Sequence, residues 1–193
     1  DEKTCTGTYI SYKEVINKYK ALDSLSDEAR LFTYGKTDCG ESLHLFVISQ
    51  SKIFDPFRLH ELKKCILFIN NGIHPGEPDG IDASLELATD LISKPLYNHL
   101  LDNVVICIIP VFNIDGALER ECCSRMNQNG PEEYGFRANS KNLDLNRDFV
   151  KASIVVGENP FRIIFMDILP NMLSLIIANF FAAWRPCCDF ANF

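Results

Sequence analysis

The chain has 193 residues, of which 47% are hydrophobic and 23% charged, with a formal net charge of -7. This length and composition fit one globular domain with a proper core and exclude a disordered chain. No Lys/Arg cluster interleaves with aromatic residues, which argues against a nucleic-acid partner, because phosphate neutralisation needs concentrated positive charge.

In chain order, residues 8–22 read as a helix, with Ile10, Tyr12, Val15, Ile16 and Tyr19 at helical spacing. Leu31–Tyr34 and Leu43–Ser49 read as strands joined through Gly35–Gly40, and Lys52–His60 as a loop or short helix. Cys65–Asn70 is a continuous apolar run that suits a central strand buried on both faces. After a turn at His74–Glu77, Pro78-Asp79 suits a helix start. Ile81, Leu85, Ala88, Leu91 and Ile92 then make one apolar face. Val104–Ile109 is a second buried strand, so strand, helix and strand form a βαβ unit in an α/β fold. Residues 113–142 are rich in Asn, Gly, Arg and Glu with little periodicity, the pattern of a functional loop. The run Ile163–Trp184 carries only Asp167 as a charge. Pro170, Asn171, Ser174 and Asn179 interrupt it, which favours a buried helix over a membrane span.

Eight cysteines are many for this length, but no CxxC spacing occurs, so a cysteine zinc site is not expected. Cys65 and Cys107 lie in apolar runs and read as buried small hydrophobes, while the vicinal pairs Cys122-Cys123 and Cys187-Cys188 could enter disulfides.

Two elements carry chemistry. His74-Pro-Gly-Glu77 places an imidazole and a carboxylate just past a strand end, where open α/β sheets bind ligands. Gly76 gives that turn freedom and Pro75 gives it stiffness, so both groups can face one metal ion; alone, the pattern is more often that of a surface turn with an incidental histidine. Asn146 and Arg147 form an amide and guanidinium pair suited to clamping a carboxylate, and Arg137 offers a second cation for an oxyanion. Alone, these also describe a solvated loop. His44, His60 and His99 read as ordinary histidines, and no histidine follows His99.

His74-Pro-Gly-Glu77, Asn113-Ile-Asp-Gly116, Arg137-Ala-Asn139 and Leu143-Asp-Leu-Asn-Arg-Asp-Phe149 occur in an order and spacing that resembles the zinc metallocarboxypeptidases. The stretch from Thr33 to Lys151 is similar to the pancreatic-type enzymes and, over Asn127–Arg147, closest to a bacterial-type branch. The resemblance implies an α/β fold with a mixed, mainly parallel sheet flanked by helices, ending before the family's C-terminal part. Residues 1–193 would form a single, partial domain. It implies one zinc ion held by His74 and Glu77, with Arg137 polarising the scissile carbonyl and Asn146 and Arg147 binding the substrate's terminal carboxylate. Asp144 would pack or orient the arginine loop. The implied partners are peptide or protein C-termini, the implied setting secreted or periplasmic, and no membrane association is expected.

Two departures matter. The family commonly has arginine where Gly76 stands, which keeps amino-acid deacylases resembling succinylglutamate desuccinylase and aspartoacylase as an alternative; Asn113-Ile-Asp-Gly116 favours the carboxypeptidases. The family's third zinc ligand is a later histidine and its general base a later glutamate. Trp184-Arg-Pro186 and Asp189 resemble the approach to that ligand, but no histidine follows, and Glu158 does not match the base. Two of three ligands are therefore present. The expectation is a peptidase impaired as this chain, with a non-catalytic peptide-binding protein and a truncated reading frame as the other readings.

Overall fold

The computed structural model describes residues 9–122 and 133–147; Ile163–Trp184, Cys5, Cys123, Cys187, Cys188 and Glu158 lie outside them. The chain divides into two units, residues 1–145 and 146–193, and the fold below is that of the first.

The first helix, α1, runs Tyr12–Leu25. It starts later than its apolar pattern suggests, because Ser11 caps it. The Ser11 hydroxyl accepts from the Glu14 amide at 3.3 Å, and the Glu14 carboxylate accepts from the Ser11 amide at 2.9 Å. This reciprocal capping box satisfies two donors that a helix N-terminus otherwise leaves unpaired. Val15, Ile16, Tyr19 and Leu22 form the buried face.

Strands β1 (Ala29–Lys36) and β2 (Ser42–Ile48) form the expected antiparallel hairpin. A short helix, α2 (Pro56–Glu61), follows, started by Asp55, whose side chain accepts from the Arg58 amide. Then come β3 (Cys65–Asn70), α3 (Asp79–Ser93), a 3-10 turn over Pro95–Leu101 and β4 (Val104–Ile109). The irregular stretch after β4 holds a short helix, α4 (Ile114–Leu118), and two-residue strands β5 (Arg120–Glu121) and β6 (Tyr134–Gly135) that pair with each other.

The main sheet is mixed, in the order β1-β2-β4-β3. β3 and β4 run parallel across the α3 crossover, as the βαβ reading requires, while β2 pairs antiparallel with both β1 and β4. Alternation along the strands divides the core. Phe46 and Ile48 of β2 and Ile106 and Ile108 of β4 pack against Val15, Tyr19 and Leu22 of α1 and Ile81, Leu85, Ala88 and Leu91 of α3. Val47 and Val105 point the other way, to Leu59 of α2. Phe46 is fully buried, its ring centroid 4.8 Å from that of Tyr19. Phe46→Ala should therefore cost about 3–5 kcal/mol, read as a lowered urea midpoint; a shift worth less than about 1 kcal/mol would show that the core closes over the gap.

One expectation is corrected. Cys65–Asn70 is not a strand buried on both faces. Among the described residues β3 is the edge of the sheet, and Ile66, Leu67 and Phe68 are 45%, 48% and 56% exposed. Its apolar pattern is that of an interior strand, but β4 is its one ladder partner there. Cys65 is accordingly exposed rather than buried. Cys107, on the neighbouring strand, is half-buried, and burial pushes its thiol pKa up. Cys39, Cys65 and Cys107 are free thiols. Among the described residues, no helix is long and apolar enough to cross a membrane.

Candidate metal centre

The loops that leave β3 and β4 stay side by side beyond the sheet. Asn71 donates its amide to the Ile109 carbonyl, Phe112 to that of Asn71 and Asn113 to that of Gly72, at 3.2, 2.7 and 3.0 Å. Gly72 has φ +63°, and a β-carbon there would sit 3.1 Å from both Ile81 Cδ1 and Val111 Cγ1. The positive φ favours glycine, and the tight contact adds to that preference. The chain then closes a tight turn in which the Glu77 amide donates to the His74 carbonyl at 3.0 Å.

That turn brings the two candidate ligands together. His74 is 6% exposed, and its Nδ1 lies 3.6 Å from Glu77 Oε1. Two donors on a tetrahedral zinc ion, each about 2.1 Å from it, stand about 3.4 Å apart. The pair therefore fits one zinc ion with little adjustment. The other imidazole nitrogen, Nε2, lies 3.0 Å from Asp144 Oδ1. An ionised carboxylate accepts but cannot donate, so Nε2–H donates to Asp144, and Nδ1 is the ring nitrogen turned to Glu77.

Asp144 does more than support a loop. Its second oxygen, Oδ2, accepts from Arg137 Nε at 3.0 Å. The hydrogen bond with His74, reinforced by the Arg137 guanidinium, overcomes partial burial and holds the Asp144 carboxyl well below the usual carboxylate range. Arg137 Nη1 also lies 3.9 Å from Glu77 Oε1. His74, Glu77, Arg137 and Asp144 thus form one charged cluster at the end of β3. Sequence reasoning gave Asp144 only a packing or loop-orienting role. The signal that could have found it is general: a metal-binding histidine needs a partner on its other ring nitrogen.

The segment that brings Arg137 here passes close to the turn. A β-carbon on Gly135 would come 2.7 Å from Pro75 Cβ, so glycine alone permits the approach. Tyr9 holds the same region from the other side, its ring 3.9 Å from Arg120 Cζ and its hydroxyl accepting from the Gly135 amide. Asn146 and Arg147, the candidate carboxylate clamp, are exposed, helical in backbone and part of the second unit. His44, His60 and His99 take no part: His44 Nδ1 is 3.1 Å from the Thr33 hydroxyl on the hairpin, and His99 Nδ1 is 2.9 Å from the Leu96 carbonyl. Among the described residues, no group of three or more His, Cys, Asp or Glu side chains could hold a metal. A cleft of about 230 Å³ beside the hairpin, lined by Thr37, Asp38, Asn113, Asp115, Asn139 and Leu145, does not include His74 or Glu77.

Known proteins share both sequence and fold with this chain. Mouse carboxypeptidase M is 28% identical over 175 residues, covering 86% of this chain and 35% of its own length. A metallo-carboxypeptidase from Burkholderia cenocepacia has a similar structure, with a TM-score of 0.53 at 20% identity over 77% of this chain and 39% of that one. One from Pseudomonas aeruginosa gives 0.54 at 17% identity over 74% of this chain and 32% of that one. The chain spans about a third of the length of these relatives. The zinc carboxypeptidase family itself matches residues 16–167, a span that contains the His74–Glu77 turn, Arg137 and Asp144, and the chain belongs to that family.

Proposed function

We propose that this chain carries part of the site of a zinc-dependent carboxypeptidase that removes C-terminal residues from peptides. The observation that carries the proposal is the His74–Glu77 pair, 3.6 Å apart, with Asp144 bonded to the far side of the imidazole. His74 and Glu77 would hold the zinc ion. When bound, zinc supplies Lewis-acid polarisation and eases deprotonation of water near neutral pH. Arg137, about two-fifths exposed, braced through Nε by Asp144 and with Nη1 3.9 Å from Glu77 Oε1, would turn its guanidinium to the scissile carbonyl oxygen. There it would stabilise the negative charge that develops as the carbonyl becomes tetrahedral. Asn146 and Arg147 would fix the substrate's free carboxylate, because a guanidinium donates two parallel hydrogen bonds to that group. That recognition selects the last residue of a peptide. A secreted or periplasmic setting belongs to the same proposal.

The test compares a peptide with a free C-terminus against the same peptide amidated, in zinc-loaded protein. The protein should bind the free form and not the amide, and any product release should come from the free form alone. Equal turnover of the two would remove the carboxypeptidase assignment, and turnover of acyl amino acids alone would assign a deacylase. Binding of the free peptide without turnover would assign a peptide-binding protein. Arg147→Ala should weaken binding of the free peptide by roughly 1.5–3 kcal/mol, the worth of a charge-assisted hydrogen bond. Unchanged affinity by calorimetry would take Arg147 out of the clamp.

A further inference from the structure

The Asn113-Ile-Asp-Gly116 turn has no part in the chemistry above, yet it holds the segment that carries Arg137. Asn113 is 1% exposed and uses both ends of its amide. Its Oδ1 accepts from the Gly116 amide at 3.0 Å, and its Nδ2 donates to the Arg137 carbonyl at 3.1 Å. Gly116 lends its carbonyl to the Phe136 amide at 2.8 Å. A β-carbon on Gly116 would come 2.3 Å from the Phe136 carbonyl oxygen and 2.7 Å from that of Ala138, so the two backbones are laid against each other. Asp115 accepts from the Ser140 hydroxyl at 2.9 Å. Burial alone would raise the Asp115 carboxyl, but hydrogen bonds from Thr37 and Ser140 outweigh it and keep the group ionised. Ile114, 1% exposed, sinks the turn into the apolar interior just past β4. Residues 136, 137 and 140 are thus tied to a rigid turn at the end of a buried strand.

Arginine has a long side chain, and its guanidinium is aimed only when both ends are held. Asp144 holds the far end through Nε. The near end is the Arg137 main chain, and the Asn113 side chain bonds it directly. We infer that Asn113 is a positioning residue for Arg137, fixing the backbone from which the guanidinium reaches the substrate carbonyl. The inference rests on the role proposed for Arg137. It gives the Asn-Ile-Asp-Gly turn a function beyond chain reversal.

Asn113→Ser keeps a short acceptor for the Gly116 amide and removes the donor to the Arg137 carbonyl; Asn113→Asp keeps the Oδ1 acceptor and serves if the serine variant does not fold. Two measurements on the full chain apply. The first is the Arg137 Nε–H resonance in a 15N-edited spectrum, which needs no ligand. In the variant it should shift, and its exchange with water should quicken about tenfold. An unchanged resonance would overturn the inference. The second uses zinc-loaded protein and a peptide phosphonate that mimics the tetrahedral carbonyl. Its affinity should fall about tenfold, in the range found for residues that support a site from behind. Affinity for a plain free-carboxylate peptide should change less than about twofold, and the variant should add no loss in an Arg137→Ala background. Equal losses for both ligands, or an undiminished loss without Arg137, would mean general destabilisation and overturn the inference. If the unaltered protein and Arg137→Ala bind the phosphonate equally, the role assigned to Arg137 fails, and the Nε–H resonance alone decides whether Asn113 positions it.

Discussion

Replacing His74 with alanine should strip the protein of zinc, lowering affinity by more than about a hundredfold. The imidazole is nearly buried, and its Nδ1 lies 3.6 Å from Glu77 Oε1 in the turn. Alanine removes the imidazole donor and leaves the Glu77 carboxylate with the Arg137 Nη1 group 3.9 Å from it. A single carboxylate without the imidazole supplies too few donors to hold zinc. The fold should survive, since His74 is absent from the apolar cluster that joins α1, α3 and the sheet. Zinc content measured after dialysis checks the expectation, with circular dichroism as the control. Undiminished zinc in a folded His74→Ala protein would place the metal elsewhere.

Asp144→Ala should have the next largest effect, lowering zinc affinity about 10- to 100-fold without removing a ligand. The carboxylate fixes which imidazole nitrogen carries the proton and holds the ring's angle; without it the ring can turn and present the wrong nitrogen. The same change frees Arg137, so loss of peptide turnover should exceed the loss explained by zinc alone. The linkage to pH follows from the direction of the shift. The Asp144 carboxyl is held below its ordinary value in the folded protein, first by its hydrogen bond with His74 and then by Arg137. Its contribution to stability is therefore complete above the unfolded carboxyl range, near pH 4, and is lost as pH falls through the lower folded value. The gap in urea midpoint between the parent protein and Asp144→Ala should be wide at pH 7 and should narrow in strong acid. A gap that grew on acidification would contradict the assignment of that carboxylate as the charged partner.

Much of this was legible because it is local. His74 and Glu77 share one turn, so spacing made them a candidate pair, although it took the resemblance to the zinc metallocarboxypeptidases to single them out as ligands. The βαβ unit was legible because the apolar face of α3 repeats at helical spacing between two apolar runs. The capping box Ser11-Tyr-Lys-Glu14 was also present in the sequence, although the apolar pattern alone began the helix too early. What resisted reading was contextual. Cys65–Asn70 has the composition of a strand covered on both faces, and composition does not record which neighbours a strand has. The 3-10 turn at Pro95–Leu101 has no apolar repeat to announce it. Asp144 could be assigned to His74 only from three dimensions, because two charged side chains in a loop give no sign of which partner each will meet. Asn113 was visible as part of a motif, but its bond to a backbone carbonyl leaves no trace in the identity of Arg137.

The bond between His74 and Asp144 spans 70 positions of the chain. The bond that closes the His74–Glu77 turn spans three. Loop-closure entropy makes the short contact easy to form early, whereas the long one waits until the sheet is assembled and the segment after β6 has docked. A newly made chain should therefore bring the proposed metal donors together before it gains the restraint that selects between the imidazole nitrogens. Zinc supplied during refolding would meet an imidazole still free to bind through either nitrogen, and zinc supplied afterwards would meet only Nδ1. The order in which metal and folding arrive thus becomes a variable of its own for this protein.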